Sequence, residues 1–122
     1  MSENILVDLS FEFAKNVVTV TDSISASNSF YMINQFARAG TSVGANIREA
    51  QYAHSRADFI AKLEIALKEA NEAEYWLELM AATGRINKVD FQKLKNQSGK
   101  IRRLLIASCT TARTNPKFRS KQ

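Results

Sequence analysis

The chain has 122 residues, 45% hydrophobic and 24% charged, with four glycines, one proline and one cysteine. That length holds one domain with a real core but not two. The few turn residues argue against many short strands, and a lone cysteine excludes an internal disulfide. The net charge of +5 hides an asymmetry: residues 91–122 hold nine basic and no acidic residues, against eight basic and twelve acidic in residues 1–90.

The first predicted helix covers roughly residues 8–24, opening at Asp8 or Ser10, because Phe13, Val17, Val20 and Ile24 recur at three- and four-residue spacings. Its run Val17-Val-Thr-Val-Thr is β-branched and leaves a strand as the competing reading. The break Ser25-Ala-Ser-Asn-Ser ends it and offers N-caps for a second helix over residues 30–53. On that helix, at about 100° per residue, Phe36, Val43, Ile47 and Ala50 form an apolar face. Arg38, Ser42, Asn46 and Glu49 form a separate polar stripe. The stripe either fixes register between helices through paired polar groups or presents donors to a ligand. Arg38 and Glu49, opposite in sign, are candidates to neutralise each other across the stripe or between subunits. Gly40 and Gly44 mark a close approach of another backbone, within the bundle or between subunits.

A capping box at Ser55 and Asp58, with Asp replacing the usual Glu or Gln, opens a third helix that runs to about residue 83. Phe59, Ile60, Leu63, Ala66, Leu67, Ala70, Ala73 and Leu77 make its core face. Glu64–Lys68 and Lys68–Glu72 have the i,i+4 spacing of helix ion pairs, and Gly84 suits the C′ position. Ile65, Trp76 and Leu79 lie roughly opposite the core face, with Glu69 and Glu72 between them. A tryptophan on such a stripe points to an oligomer interface. Asn87 caps a fourth helix, with Asp90 in its first turn. Its core positions are Phe91, Leu94, Ser98, Ile101, Leu105 and Cys109, and Gly99 inside it costs about 1 kcal/mol relative to alanine unless packing compensates. Residues 1–112 therefore form the domain and residues 113–122 a basic tail without periodicity. Short connections between long helices give an all-α, antiparallel, up-down-up-down four-helix bundle.

The run Ser42-Val-Gly-Ala-Asn-Ile-Arg-Glu49 after Arg38 carries a resemblance, continued by Ser55-Arg-Ala-Asp-Phe59, Leu63-Glu-Ile-Ala-Leu-Lys-Glu-Ala70, Glu74-Tyr-Trp-Leu-Glu-Leu79 and Gly84-Arg-Ile86. Over residues 35–86 the chain resembles the four-helix proteins encoded by intervening sequences in bacterial ribosomal RNA genes. Ser10-Phe-Glu-Phe-Ala-Lys-Asn-Val-Val in the first helix also looks like this family. The resemblance implies a four-helix bundle assembling into a ring, a homopentamer. It also implies an architecture similar to accessory proteins of diversity-generating retroelements, basic pentamers that bind a reverse transcriptase and nucleic acid. Many relatives carry Glu-Gly where this chain has Glu49-Ala50, a departure expected to alter the end of the second helix and not the fold.

Catalytic chemistry has little to build on. Gly40-Thr-Ser-Val-Gly44 lacks the following lysine and the strand–loop–helix setting of a P-loop. The only histidine, His54, is expected at the surface or near a helix cap, and Cys109 reads as a small buried hydrophobe. The third-helix glutamates alternate with lysines or face outward. No catalytic residue, metal or cofactor is expected. The preferred reading is a non-catalytic oligomer that binds RNA or another nucleic acid through Lys93, Lys95, Lys100, Arg102, Arg103, Arg113, Lys117, Arg119 and Lys121. Phe118 is a candidate to stack on a base or to serve as a loose apolar anchor. The alternative is a scaffold or accessory subunit whose basic surface binds an acidic protein. The same charges on a solvated face with a solubilising tail are the plainest reading. No apolar run approaches the about 20 residues of a bilayer span, and the acidic N-terminus lacks a signal peptide's basic region. The expected location is the cytoplasm.

Overall fold

A computed structural model describes residues 2–24 and 30–114. They form four α-helices, α1 (Ser2–Ser23), α2 (Phe30–Ala50), α3 (Arg56–Ala82) and α4 (Lys88–Thr114), with no strand among them. The β-branched run of α1 is helical, because Val17 and Val20 sit at 0% and 7% exposure in a core that reads the helical period. Tertiary burial outweighs the few tenths of a kcal/mol each such residue costs in propensity.

α1 begins earlier than the sequence pattern predicts. Leu6, seven residues before Phe13, is buried and extends the same stripe by two turns. Ser10 does not open the helix. It is 1% exposed, and its hydroxyl donates to the Val7 carbonyl at 3.2 Å. α2 ends at Ala50, three residues short of expectation. Residues 51–53 continue as a tighter turn, each amide bonding the carbonyl three residues back. Ala50 closes α2 as a core residue at 0% exposure. α4 runs to Thr114, so Arg113 and Thr114 belong to the helix. The rest of the expected tail, residues 115–122, lies outside the described residues.

The caps follow the sequence. Ser55 accepts from the Asp58 amide at 3.1 Å, and Asn87 accepts from the Asp90 amide at 2.7 Å. At the end of α3, Gly84 takes φ +73°, the Arg85 amide bonds Met80 O at 2.8 Å and the Gly84 amide bonds Ala81 O at 3.2 Å. This is a Schellman close, for which glycine suits the left-handed residue.

Packing is between α1 and α2, α2 and α3, α3 and α4, and α1 and α4, with no Cα approach within 8 Å across either diagonal. One core fills the space between, built on Phe13, Phe36, Ile47, Leu63, Leu77, Met80, Leu94, Ile101 and Leu105. Met80 and Ala112 add turns that the predicted faces omit. The two glycines of α2 face α1. A Cβ on Gly40 would lie 2.9 Å from a Val17 methyl, and one on Gly44 would lie 3.3 Å from Ser10 O. Their closeness serves packing within the protomer. No helix among the described residues is long and apolar enough to cross a membrane.

Candidate nucleic-acid interface

α4 carries its cations on two sides. Leu94, Ser98, Ile101, Leu105 and Cys109 point inward, so at 100° per residue Lys95, Arg102 and Arg113 flank that stripe on the α3 side. Each meets a carboxylate there. Lys95 pairs with Glu78 and lies 3.9 Å from Glu74, Arg102 Nε lies 3.4 Å from Glu74 Oε2, and Arg113 pairs with Glu64. Lys93, Lys100 and Arg103 are exposed and make no ion pair within 4 Å among the described residues. Lys117, Arg119 and Lys121, with Phe118, lie outside the described residues. Six expected contacts in the described part therefore divide into three cations held by α3 and three facing outward.

The third-helix glutamates do not simply face outward. Glu74, with a side chain only 13% exposed, accepts from Ser98 Oγ at 2.8 Å as well as from Arg102. Two α4 donors and the Lys95 ammonium thus gather round one carboxylate, which ties α3 to α4 at a half-buried site. Glu64 and Glu72 do not pair with Lys68. Their partners are Arg113 and Arg38, because an interhelical guanidinium reaches them from a neighbouring helix.

The polar stripe of α2 turns toward α3. Arg38 donates to Glu69 Oε1 at 3.1 Å and to Glu72 Oε2, while Glu49 lies 3.8 Å from Lys62 Nζ. Within one chain Arg38 and Glu49 do not neutralise each other: eleven residues on one helix separate them by about 16 Å, and each finds a nearer partner on α3. Ser42 Oγ donates to Arg38 O at 2.7 Å and Asn46 Nδ2 to Ser42 O at 2.9 Å. These donors are used by the α2 backbone. The arrangement supports the register reading of the stripe over the ligand reading.

Glu72 also accepts from the Trp76 indole at 3.2 Å. The Arg38 hydrogen bond, and after it the indole, hold the Glu72 carboxyl below the ordinary carboxylate range, and Glu72 raises Arg38 in turn. Trp76 and Leu79 are half-buried against their own core, while Ile65 is 42% exposed. The indole is thus partly covered within one protomer. His54 is exposed in the connection between α2 and α3, and Cys109 is buried, with burial pushing its thiol up. Among the described residues no three His, Cys, Asp or Glu side chains gather as a metal site would require.

Sequence reasoning missed Glu74 as a hub and Arg48 stacked over Phe11, with 5.6 Å from guanidinium carbon to ring centroid. A signal existed for the first. Lys95 and Arg102 are seven apart and Arg113 eleven further on, one angular line beside the core stripe. Glu64, Glu74 and Glu78 flank the facing stripe of α3. No comparable spacing marks Arg48.

The sequence model of the 23S rRNA-intervening sequence protein family matches residues 2–107. The chain is also similar to a crystal structure from Bacteroides thetaiotaomicron, a protein of unknown function from the S23 ribosomal protein family. The two are 47% identical with a TM-score of 0.83, over 91% of this chain and 100% of that one. No curated protein matches significantly. A match spanning all four helices, with the caps and core stripes in place, assigns the chain: it belongs to the 23S rRNA-intervening sequence protein family.

Proposed function

We propose that the protein is a non-catalytic, self-assembling, antiparallel up-down-up-down bundle that associates with nucleic acid, RNA foremost, through the outer face of α4. Paired positions support the antiparallel order, since they run in opposite senses. Gly40 faces Val17 and Gly44 faces Ser10; Arg38 meets Glu69 and Glu72 while Glu49 meets Lys62; Lys95 meets Glu78 while Arg113 meets Glu64. Assembly into a pentameric ring rests on the resemblance alone, and a cytoplasmic setting on the lone cysteine of the sequence. The exposed His54 and buried Cys109 support a role without covalent or acid–base chemistry.

The observation that carries the function is the outward set Lys93, Lys100 and Arg103, without carboxylate partners among the described residues, while Glu64, Glu74 and Glu78 of α3 are occupied. Lys93 and Lys100 are about 10 Å apart along the helix, so one protomer offers a few phosphate contacts. A ring would repeat them and convert weak contacts into avidity. The family's link to 23S rRNA makes RNA the first polymer to test.

The test is fluorescence anisotropy with structured RNA, single-stranded RNA and duplex DNA over a salt series. The comparison is between the wild type and the Lys93→Gln, Lys100→Gln, Arg103→Gln triple variant. Each lost phosphate contact lowers the log–log salt slope by about 0.7–0.9, so the variant's slope should drop by about two or more. An unchanged slope and affinity would refute this face as the contact and move the search to an acidic protein partner.

A further inference from the structure

The fold accounts for three of the four glycines. Gly40 and Gly44 admit α1, and Gly84 closes α3 in the left-handed conformation. Gly99 has no such reason. It lies inside α4 without a positive φ, and a Cβ there would meet no other helix within 4 Å among the described residues. Its nearest neighbours would be Arg103 Nη1 at 3.4 Å and Arg102 Nη2 at 3.7 Å. A glycine costs a helix interior stability relative to alanine, and packing against α1 or α3 returns nothing here. Helical side chains lean toward the N-terminus and cover the turn before their own. Arg102 and Arg103 stand three and four residues after Gly99, so both reach back over it. The missing side chain leaves a hollow between them, floored by the helix backbone.

The charges around this hollow are unbalanced. Arg102 is held through Nε alone, 3.4 Å from Glu74 Oε2, and that carboxylate also accepts from Ser98 Oγ at 2.8 Å and lies 3.9 Å from Lys95 Nζ. Glu78 and Glu64, the other carboxylates that α3 turns to α4, are taken by Lys95 and Arg113. Arg103 is exposed. Beyond the Nε contact, neither arginine makes a hydrogen bond or ion pair among the described residues. Two guanidinium ends thus approach one point with no acid between them. Like charges so placed repel, and an anion in the hollow would offset that repulsion.

We propose that Gly99, Arg102 and Arg103 form a seat for one phosphate of the nucleic-acid backbone. Arg102 Nη2 and Arg103 Nη1 donate to two of its oxygens, over charge-assisted bonds of about 2.7–2.9 Å, and the bare backbone at Gly99 lets the phosphate settle against α4. Glu74 is a positioning residue: it fixes Arg102 by its Nε edge and leaves the far end for the ligand. The planar fork of a guanidinium suits two phosphate oxygens in a way that the point charge of an ammonium does not. The inference rests on the nucleic-acid reading above and deepens it. It adds Arg102 to the contact and gives a face otherwise read by charge alone one fixed point of register.

Two variants that keep the net charge test it: Gly99→Ala, and the double change Arg102→Lys with Arg103→Lys. Fluorescence anisotropy follows their binding to an RNA hairpin with a 5′-hydroxyl and to the same hairpin with a 5′-phosphate, at one salt concentration. The methyl of Gly99→Ala fills the hollow, and the lysines keep the charge but lose the forks. Each variant should bind about tenfold more weakly than the wild type, whereas attraction by net charge alone predicts no change. Urea unfolding should find Gly99→Ala at least as stable as the wild type, so that misfolding does not explain its loss. A wild type that binds neither hairpin overturns the nucleic-acid reading and the seat with it. Binding that the Lys93, Lys100 and Arg103 triple variant loses, but both charge-conserving variants keep, leaves the outer face of α4 standing and overturns the seat. Loss in only one of the two variants also overturns it, because floor and forks act together. Equal affinity for the two hairpins places a backbone phosphodiester in the seat; a preference for the 5′-phosphate that both variants abolish overturns that assignment in favour of the terminal phosphate.

Discussion

Gly40→Ala and Gly99→Ala are the same chemical change in two helix interiors, and the structure assigns them opposite signs. Replacing glycine by alanine inside a helix gains about 1 kcal/mol of propensity. At Gly99 the new Cβ would meet only the guanidinium ends of Arg103 and Arg102, at 3.4 and 3.7 Å. These are the far ends of flexible side chains, so they give way and most of the gain survives. At Gly40 the Cβ would stand 2.9 and 3.1 Å from the two methyls of Val17, which is 0% exposed. A β-branched side chain in a helix has one strongly preferred χ1 and cannot swing aside, so α1 itself must shift. Overpacking of that kind costs about 1–3 kcal/mol. The net expectation is about 0–2 kcal/mol lost at Gly40 against about 0.5–1 kcal/mol gained at Gly99. Urea unfolding followed by circular dichroism, with all variants at one protein concentration, measures both. Val17→Ala in the Gly40→Ala background relieves the clash, so the double variant should be more stable than the two single losses sum to. Gly40→Ala stabilising as much as Gly99→Ala would refute the close approach of α1 and α2.

Glu74→Ala should cost about 1–3 kcal/mol, because it strips an acceptor from Ser98 and Arg102 in a half-buried site. Arg113→Ala, in an ion pair with both side chains about half exposed, should change stability by less than about 1 kcal/mol; equal losses would contradict this division. The Glu72 carboxyl is held below its ordinary range by Arg38 and Trp76, so the folded state binds its proton less readily than the unfolded chain. Its contribution is present above the ordinary glutamate value of about 4.3 and disappears as pH falls through the lower folded value. Arg38→Met should therefore flatten the loss of stability on acidification, read from urea midpoints at neutral and acid pH. An unchanged acid slope would exclude the pair as its source. Cys109, 3% exposed with its thiol raised by burial, should react with a thiol reagent only at the rate of helix opening. Immediate labelling of the native protein would place it at the surface.

Much of this fold is legible residue by residue along the chain. Phe36, Val43, Ile47 and Ala50 fall on one side of any α-helix because the angle between residues is a property of the backbone, and all four are at 0% exposure. Ser55, Gly84 and Asn87 mark helix ends because capping depends on the next few amides, whatever the helix packs against. The quoted run around Ser42 to Glu49 indicates the family for the same reason: it is read in order. Ser10 shows where local reading stops. Serine is a good cap in isolation, yet here it lies inside α1 because Leu6 has a core to enter and Gly44 admits the Ser10 backbone.

What only the tertiary structure decides is which partner each charge meets. Lys93 and Lys95 are two residues apart on one basic helix, but that step rotates the side chain by about 200°. Lys95 therefore reaches Glu78 on α3 while Lys93 is left outward. Arg38 is equally well placed on α2 for a ligand or a neighbour. It meets Glu69 and Glu72 because the offset of α2 against α3 brings them level. The period of a helix belongs to the chain and is written in its order. The offset between helices is set by how the buried faces interlock, a sum over contacts from all four, and it determines which of the cations remain available for a partner.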